Sequence, residues 1–222
     1  MTKTLIHTTT VGCLFLSAVI AAEPTFKIHT IARPEGKKFG QTSAVDGDKD
    51  GDLDFVSGTQ KGTLYWFEFQ AADKWTQHLI GTDAKTGVAG IAFYVDRDGW
   101  VDQVSGGTWF RNPGMGNFDK AWKRCETAAI AAHDHRVADI DGDGKPELFS
   151  ILDRAGVFWY DIPDDPTDRW QPHELIGVTD PQCHGGIAVG DIDGDGDLDV
   201  SRADRWLENK DGKVQDWAEH RD

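Results

Sequence analysis

Three stretches of the chain carry carboxylates at alternate positions: Asp46-Gly-Asp48-Lys-Asp50-Gly51-Asp52-Leu-Asp54, Asp139-Ile-Asp141-Gly-Asp143-Gly144-Lys-Pro-Glu147 and Asp191-Ile-Asp193-Gly-Asp195-Gly196-Asp197-Leu-Asp199. Acids stand at positions 1, 3, 5 and 9 of each, with glycine at position 6. This is the chemistry of Ca²⁺, a hard cation that takes six to eight oxygen ligands at about 2.3–2.6 Å. Side chains at positions 1, 3 and 5 can point into one turn, and the glycine permits the bend that returns position 9 to it. The expected ligands are therefore Asp46, Asp48, Asp50 and Asp54, then Asp139, Asp141, Asp143 and Glu147, then Asp191, Asp193, Asp195 and Asp199. The three stretches hold 14 carboxylates in 27 residues. Such crowding is repulsive unless a cation offsets it. An EF-hand needs a bidentate Glu at position 12 and flanking helices. Position 12 here is Ser57, Ser150 and Arg202, so a shorter loop is expected, closed at position 9 inside a hairpin. A fourth stretch, Tyr94-Val-Asp96-Arg-Asp98-Gly99-Trp-Val-Asp102, lacks the first acid, and weak or no binding is expected there. The metal's role is expected to be structural, with affinity in the extracellular class, roughly 10⁻⁴–10⁻³ M or tighter.

Histidines supply the second chemical possibility. His133-Asp134-His135 and His184-Gly185-Gly186 precede two of the acidic loops, while the corresponding segments near Gln41 and Val88 have none. If His133, His135 and His184 converge on a channel, they could act as acid and base or bind a transition metal. Arg136 and Arg202 could then hold a sugar carboxylate. The plainer reading makes them hydrogen-bonded loop residues. The sequence has no Ser-His-Asp order, no HExxH and no phosphate loop. His29, His78, His173 and His220 recur periodically, which marks them as structural, with bonds between neighbouring units expected.

The elements that must carry these loops are legible as a repeat. Trp-x-x-His or its variant begins at Trp75, Trp122, Trp170 and Trp217, spaced 47, 48 and 47 residues apart. An aromatic pair or Trp-Leu precedes each, at Trp66, Trp109, Trp159 and Trp206. In the last unit, Ile187–Val189, Leu198–Val200, Arg205–Leu207 and Trp217–His220 read as four short strands. Four strands per unit of 40 to 50 residues is the pattern of a β-propeller blade. The fold class is thus all-β, with four-stranded blades ending near residues 78, 125, 173 and 220. Phe26–His29 resembles one further fourth strand with no blade to complete. That orphan points to four blades of a larger, incomplete ring, against the competing reading of a closed four-bladed one.

Composition sets the surroundings. The chain has 222 residues and a net charge of −15, which repels nucleic-acid phosphate and anionic lipid. Nine Trp and 11 Phe supply a core. Residues 1–22 read as a signal peptide, with Lys3 before the short apolar run Val11 to Ala22. The mature chain, residues 23–222, is expected to be secreted, periplasmic or extracellular, without membrane insertion after cleavage. Cys125 and Cys183 remain there and are expected to be free thiols.

The segments DIDGDGDLDV (Asp191 to Val200) and ADIDGDGKPEL (Ala138 to Leu148) resemble the FG-GAP/VCBS repeats of integrin α-type propellers. The resemblance implies a calcium loop between the first two strands of each blade, and a ring of seven blades. It also implies a range of functions. The expected one is a calcium-stabilised module that binds a glycan or an extracellular protein. The alternatives are a carbohydrate-active lyase or dehydratase using the histidine-rich segments, or a fragment without independent function.

Overall fold

A computed structural model describes residues 25–33, 39–59, 62–84, 88–127, 132–152, 156–177 and 186–221. The expected signal peptide, Cys183 and His184 lie outside the described residues.

Sixteen strands form four antiparallel sheets, each of four strands joined in chain order. Blade 1 contains β1 (Phe39–Val45), β2 (Asp54–Thr59), β3 (Leu64–Ala71) and β4 (Lys74–Gly81). Blade 2 contains β5 (Gly90–Phe93), β6 (Asp102–Ser105), β7 (Thr108–Arg111) and β8 (Lys123–Glu126). Blade 3 contains β9 (Asp134–Ala138), β10 (Glu147–Leu152), β11 (Gly156–Asp161) and β12 (Gln171–Ile176). Blade 4 contains β13 (Ile187–Gly190), β14 (Asp199–Arg202), β15 (Arg205–Asn209) and β16 (Trp217–Arg221).

These segments are strands because apolar and aromatic residues can be buried from both faces of each sheet. In every junction one face of a blade packs on the opposite face of the next. Val56 and Trp66 of blade 1 meet Phe110 and Trp122 of blade 2. Val104 and Trp109 of blade 2 meet Leu148, Tyr160 and Trp170 of blade 3. Phe149 and Trp159 of blade 3 meet Ile187, Val200 and Leu207 of blade 4. Stacked faces of this kind supply the apolar burial that a lone four-stranded sheet lacks. The repeated tryptophans are thus packing residues between blades.

The inner strands β1, β5, β9 and β13 touch in succession. Among the described residues no comparable packing joins β13 back to β1, so the blades form an open arc and not a closed four-bladed ring. The face of blade 4 that a following blade would cover carries Trp206, which is only half-buried, whereas Trp66 and Trp109 are each 1% exposed.

The segment at Phe26–His29 does not form the strand expected of it. Residues 25–33 pair with no sheet, and Phe26 and Ile28 are 91% and 92% exposed. His29 Nδ1 lies 3.1 Å from Asp73 Oδ2, and the Thr30 N–H donates to Asp73 Oδ1 at 3.0 Å, tying the segment to the β3–β4 turn. A fourth strand needs the free edge of a third, and among the described residues every third strand is already paired with its own fourth.

Candidate metal centres

Each acidic stretch is the connection between the first and second strands of its blade, as the loop spacing requires. Position 9 is the first residue of the second strand: Asp54 of β2, Asp102 of β6, Glu147 of β10 and Asp199 of β14. All four of these acids are buried.

Two nested side-chain turns shape the loops. The position 3 carboxylate accepts the N–H of position 5, and the position 5 carboxylate accepts that of position 7. In blade 1 these bonds are Asp50 N–H to Asp48 Oδ1 at 3.3 Å and Asp52 N–H to Asp50 Oδ1 at 3.0 Å. The pattern recurs at Asp141 and Asp143, and at Asp193 and Asp195. The backbone is left-handed at position 6, with Gly51, Gly144 and Gly196 at φ 100°, 86° and 102°. It is left-handed at position 4 as well, where Lys49, Gly142 and Gly194 have φ 66°, 72° and 84°. The second of these bends was not visible in the residue types, because Lys49 is not a turn residue.

The buried acid fixes the loop from below. Asp54 Oδ2 accepts the N–H of Gly47 at 2.9 Å and Asp54 Oδ1 that of Phe69 at 2.8 Å. Asp199 does the same with Ile192 at 2.9 Å and Asn209 at 3.0 Å. Glu147 Oε2 accepts the N–H of Ile140 at 2.9 Å. Position 9 is therefore a candidate ligand and, in blades 1 and 4, a clamp between the loop and the end of the third strand. Burial, reinforced by the carboxylates around it, pushes Glu147 up to about 7 and raises Asp54, even though backbone N–H donors pull the other way. A divalent cation would reverse that shift.

The carboxylates gather as a cation requires. Oxygens of Asp46, Asp48 and Asp50 lie within 4.8 Å of one another. So do those of Asp139, Asp141 and Glu147, and those of Asp191, Asp193 and Asp199. Asp54, Asp143 and Asp195 are not part of these three groups. The donor set is all oxygen, which fits Ca²⁺ and not a soft metal. In addition, Asp46 Oδ1 is buried without a hydrogen-bond donor, an orphan that a cation would satisfy.

A residue of the following blade grips the loop in two cases. Asn112 Nδ2 donates to Gly47 O of the blade 1 loop at 3.1 Å, and Asn209 Nδ2 donates to Ile140 O of the blade 3 loop at 3.3 Å. Both carbonyls belong to position 2. In blade 3 the corresponding residue is Ile162, which packs against the apolar cluster that includes Val95 of the blade 2 loop.

The periodic histidines pair mainly within their own blades. His78 Nε2 lies 2.7 Å from Glu68 Oε2, His173 Nε2 lies 2.8 Å from Asp161 Oδ2, and His220 Nε2 lies 2.7 Å from Glu208 Oε2. Each ring stacks on a tryptophan, with centroids 4.5 Å apart at Trp66, 4.0 Å at Trp159 and 4.3 Å at Trp206. Among the described residues, His78 alone of these three is shown bonding to the next blade, at 3.1 Å from Phe118 O. The expected bonding between units is thus mostly replaced by bonding inside them.

Of the proposed catalytic histidines, His135 is buried at 2% exposure, with Nδ1 2.8 Å from Ser150 Oγ. Burial pushes it down to about 4, so it is neutral at ordinary pH. His133 is half-buried at the start of the same segment, and its N–H donates to Ile151 O at 2.8 Å. Arg136 is held by Asp134 at 3.0 Å, and Arg202 is buried. His135 and Arg202 therefore present no exposed group to a sugar. Cys125 is a half-buried free thiol whose pKa burial raises.

The fold and the loops define an all-β, propeller-type repeat protein whose blades each hold an acidic turn between their two inner strands. Residues 95–150 and 139–200 match the family described as FG-GAP-like repeat, and that part of the chain carries the repeat. No curated protein matches the sequence. Among solved structures, the Tc holotoxin pore of Photorhabdus luminescens is similar at 18% identity and a TM-score of 0.40, over 86% of this chain and 10% of that one. The V. cholerae biofilm matrix protein Bap1 is similar at 18% identity and a TM-score of 0.42, over 77% of this chain and 29% of that one. The chain spans less than a third of either protein's length.

Proposed function

We propose that the chain is a secreted or otherwise extracellular binding module, stabilised by Ca²⁺ at three acidic turns and recognising a glycan or a protein. The observation that carries the calcium part is the gathering of three carboxylates within 4.8 Å in each of three loops. Asp46, Asp48 and Asp50 would hold one ion; Asp139, Asp141 and Glu147 a second; Asp191, Asp193 and Asp199 a third. Bound Ca²⁺ supplies positive charge that offsets the like charges of its ligands. The chain's own residues do the rest. Side-chain turns pre-shape each loop, the buried position 9 acid ties it to the third strand in blades 1 and 4, and the asparagine of the next blade locks its second carbonyl in blades 1 and 3.

The binding part rests on the repeat class and on how the polar side chains are used. The buried histidine and the periodic histidine–carboxylate pairs are engaged in packing, which leaves recognition to loops and blade edges. Extracellular residence suits the affinity expected of such loops, since extracellular Ca²⁺ is near millimolar while sites of this class bind at roughly 10⁻⁴–10⁻³ M.

Titration of metal-free protein with Ca²⁺ in a calorimeter, alongside thermal melts in Ca²⁺ and in chelator, tests the first part. Saturable heat and a higher Tm in Ca²⁺ are expected; no heat and no shift would sink it. A glycan array, with absorbance near 235 nm followed as the signature of an unsaturated lyase product, tests the second. Glycan retention without absorbance change supports a binding module, and a rise at that wavelength transfers the assignment to a lyase.

A further inference from the structure

Blade 2 solves the charge problem of its acidic turn differently. Its loop keeps Asp96 and Asp98 but has Tyr94 at position 1. The turn itself is intact. The Asp98 N–H donates to Asp96 Oδ1 at 3.2 Å and the Trp100 N–H to Asp98 Oδ1 at 2.9 Å, while Arg97 and Gly99 have φ 58° and 91°. The free oxygens of both aspartates are occupied by one side chain. Arg111 Nε lies 2.5 Å from Asp96 Oδ2, and its Nη2 donates to Asp98 Oδ2 at 3.2 Å.

Strand register shows what Arg111 replaces. Trp66, Trp109, Trp159 and Trp206 are paired with His78, Cys125, His173 and His220. Two residues after each tryptophan stand Glu68, Arg111, Asp161 and Glu208. In the three loops with a full acid set this residue is a carboxylate bound to its histidine. In blade 2 the carboxylate becomes arginine and the histidine becomes cysteine, in the same blade that lacks the first acid. A histidine opposite would gain nothing from a guanidinium, and a guanidinium beside a complete acid set would exclude the ion.

We infer that Arg111 is a tethered counter-ion standing where a divalent cation would stand, so that the blade 2 turn is built to need no metal. The inference rests on the calcium reading of the other loops. Its mechanism is electrostatic and geometric. A planar guanidinium bridges two carboxylates at once, and its charge is delivered by the chain at no cost in free ion. Asp102 remains buried beneath, its Oδ1 accepting the Asn112 N–H at 2.8 Å, so the bond to the end of the third strand is kept.

The test is a count of bound Ca²⁺ by native mass spectrometry on the mature chain. Three ions are expected, matching the three carboxylate groups; four would overturn the inference. The double substitution Tyr94→Asp with Arg111→Glu restores the acid pattern and is expected to add one ion, with circular dichroism confirming the fold. A folded double variant that still takes the wild-type number overturns the inference. Arg111→Gln alone gives a measurement that survives any failure of the double variant to fold. It is expected to lower Tm by about 2–4 °C, by the same amount in chelator and in Ca²⁺. An unchanged Tm in chelator, or full recovery in Ca²⁺, counts against Arg111 as the counter-ion. Absence of any Ca²⁺ binding by the wild type would overturn the calcium reading instead, and the chelator melt of Arg111→Gln would still decide the role of the arginine.

Discussion

The fourth residue of every acidic turn sits where an L side chain is strained. Arg97 and Lys49 have φ 58° and 66°, while glycine fills the same position in blades 3 and 4. A non-glycine residue in that region costs roughly 1–2 kcal/mol. Arg97→Gly is therefore expected to raise stability by about 0.5–1 kcal/mol after the glycine's greater unfolded-state freedom is set against the relief. A higher urea midpoint with an unchanged slope would show it, and a lower midpoint would refute it. Lys49→Gly should gain less, because Lys49 Nζ lies 4.3 Å from the Trp100 ring centroid and gives up that contact. The strain at position 4 was not legible in the sequence, since two of the four residues there give no sign of it; the bend at position 6 was, because glycine marks it every time. His135 illustrates the other limit. In the sequence it stood beside His133 as a candidate acid or base, but strand pairing places it opposite Ser150 inside the blade. Its folded pKa of about 4 lies below the unfolded value near 6.5, so the unfolded state binds the proton first and stability falls as pH drops through this window. Burial is the largest cause; the backbone at Phe149 and the Asp134 carboxylate pull the other way, and Arg136 adds to the lowering. Replacing it with asparagine should flatten the decline between about pH 6.5 and pH 4 by up to about 3 kcal/mol relative to wild type. Equal pH profiles for the two proteins would show that His135 is not the group titrating.

At the scale of the element, the loop spacing was readable because its ends are strand ends. Carboxylates at alternate positions followed by an apolar strand could only be a connection, and position 9 proved to be the first residue of the second strand in all four blades. What the spacing could not reveal is that this acid works downward as well as inward. In blades 1 and 4 its two oxygens take N–H groups from the loop and from the end of the third strand, which lie 7 and 15 residues away at Asp54. The asparagine grip is hidden for the same reason, because Asn209 and Ile140 are 69 residues apart. Asn209 is fully buried, and its Oδ1 also accepts the Val214 N–H at 3.1 Å. Asn209→Ala would strand the Ile140 carbonyl and the Val214 N–H, a loss of about 1–3 kcal/mol. If the asparagine also steadies the blade 3 loop, the variant should lose Ca²⁺ affinity at one site only. That combination is read by calorimetry with a urea titration; a stability loss with all affinities intact would restrict Asn209 to a packing role.

The whole molecule is an arc of repeats with its acidic turns at one topological position in every blade. The number and order of blades were legible from the spacing of the tryptophans alone. The open ring was read from the surplus segment at Phe26–His29, and the arc agrees with that reading, although the segment itself forms no strand. The half-buried Trp206 and the lack of comparable β13–β1 packing among the described residues are the structural trace of the open ring. Charge is the property that the molecule shares as a unit. The net charge is −15, and the three full loops contribute 14 of the carboxylates. Without metal, the carboxylates of each loop repel one another, and counter-ions from solution screen that repulsion. Three Ca²⁺ would bring −15 to −9 and remove the strongest local repulsion. Two consequences follow for unfolding experiments. Each independent site held at about one hundred times its dissociation constant adds about 2.7 kcal/mol, so melting should rise with Ca²⁺ more steeply than a single site allows. Sodium chloride should stabilise the protein in chelator, by screening, and do so much less in saturating Ca²⁺. Thermal melts across ionic strength in both conditions check this. An identical salt response with and without Ca²⁺ would mean that loop repulsion does not limit stability, and the metal would then act through local geometry alone.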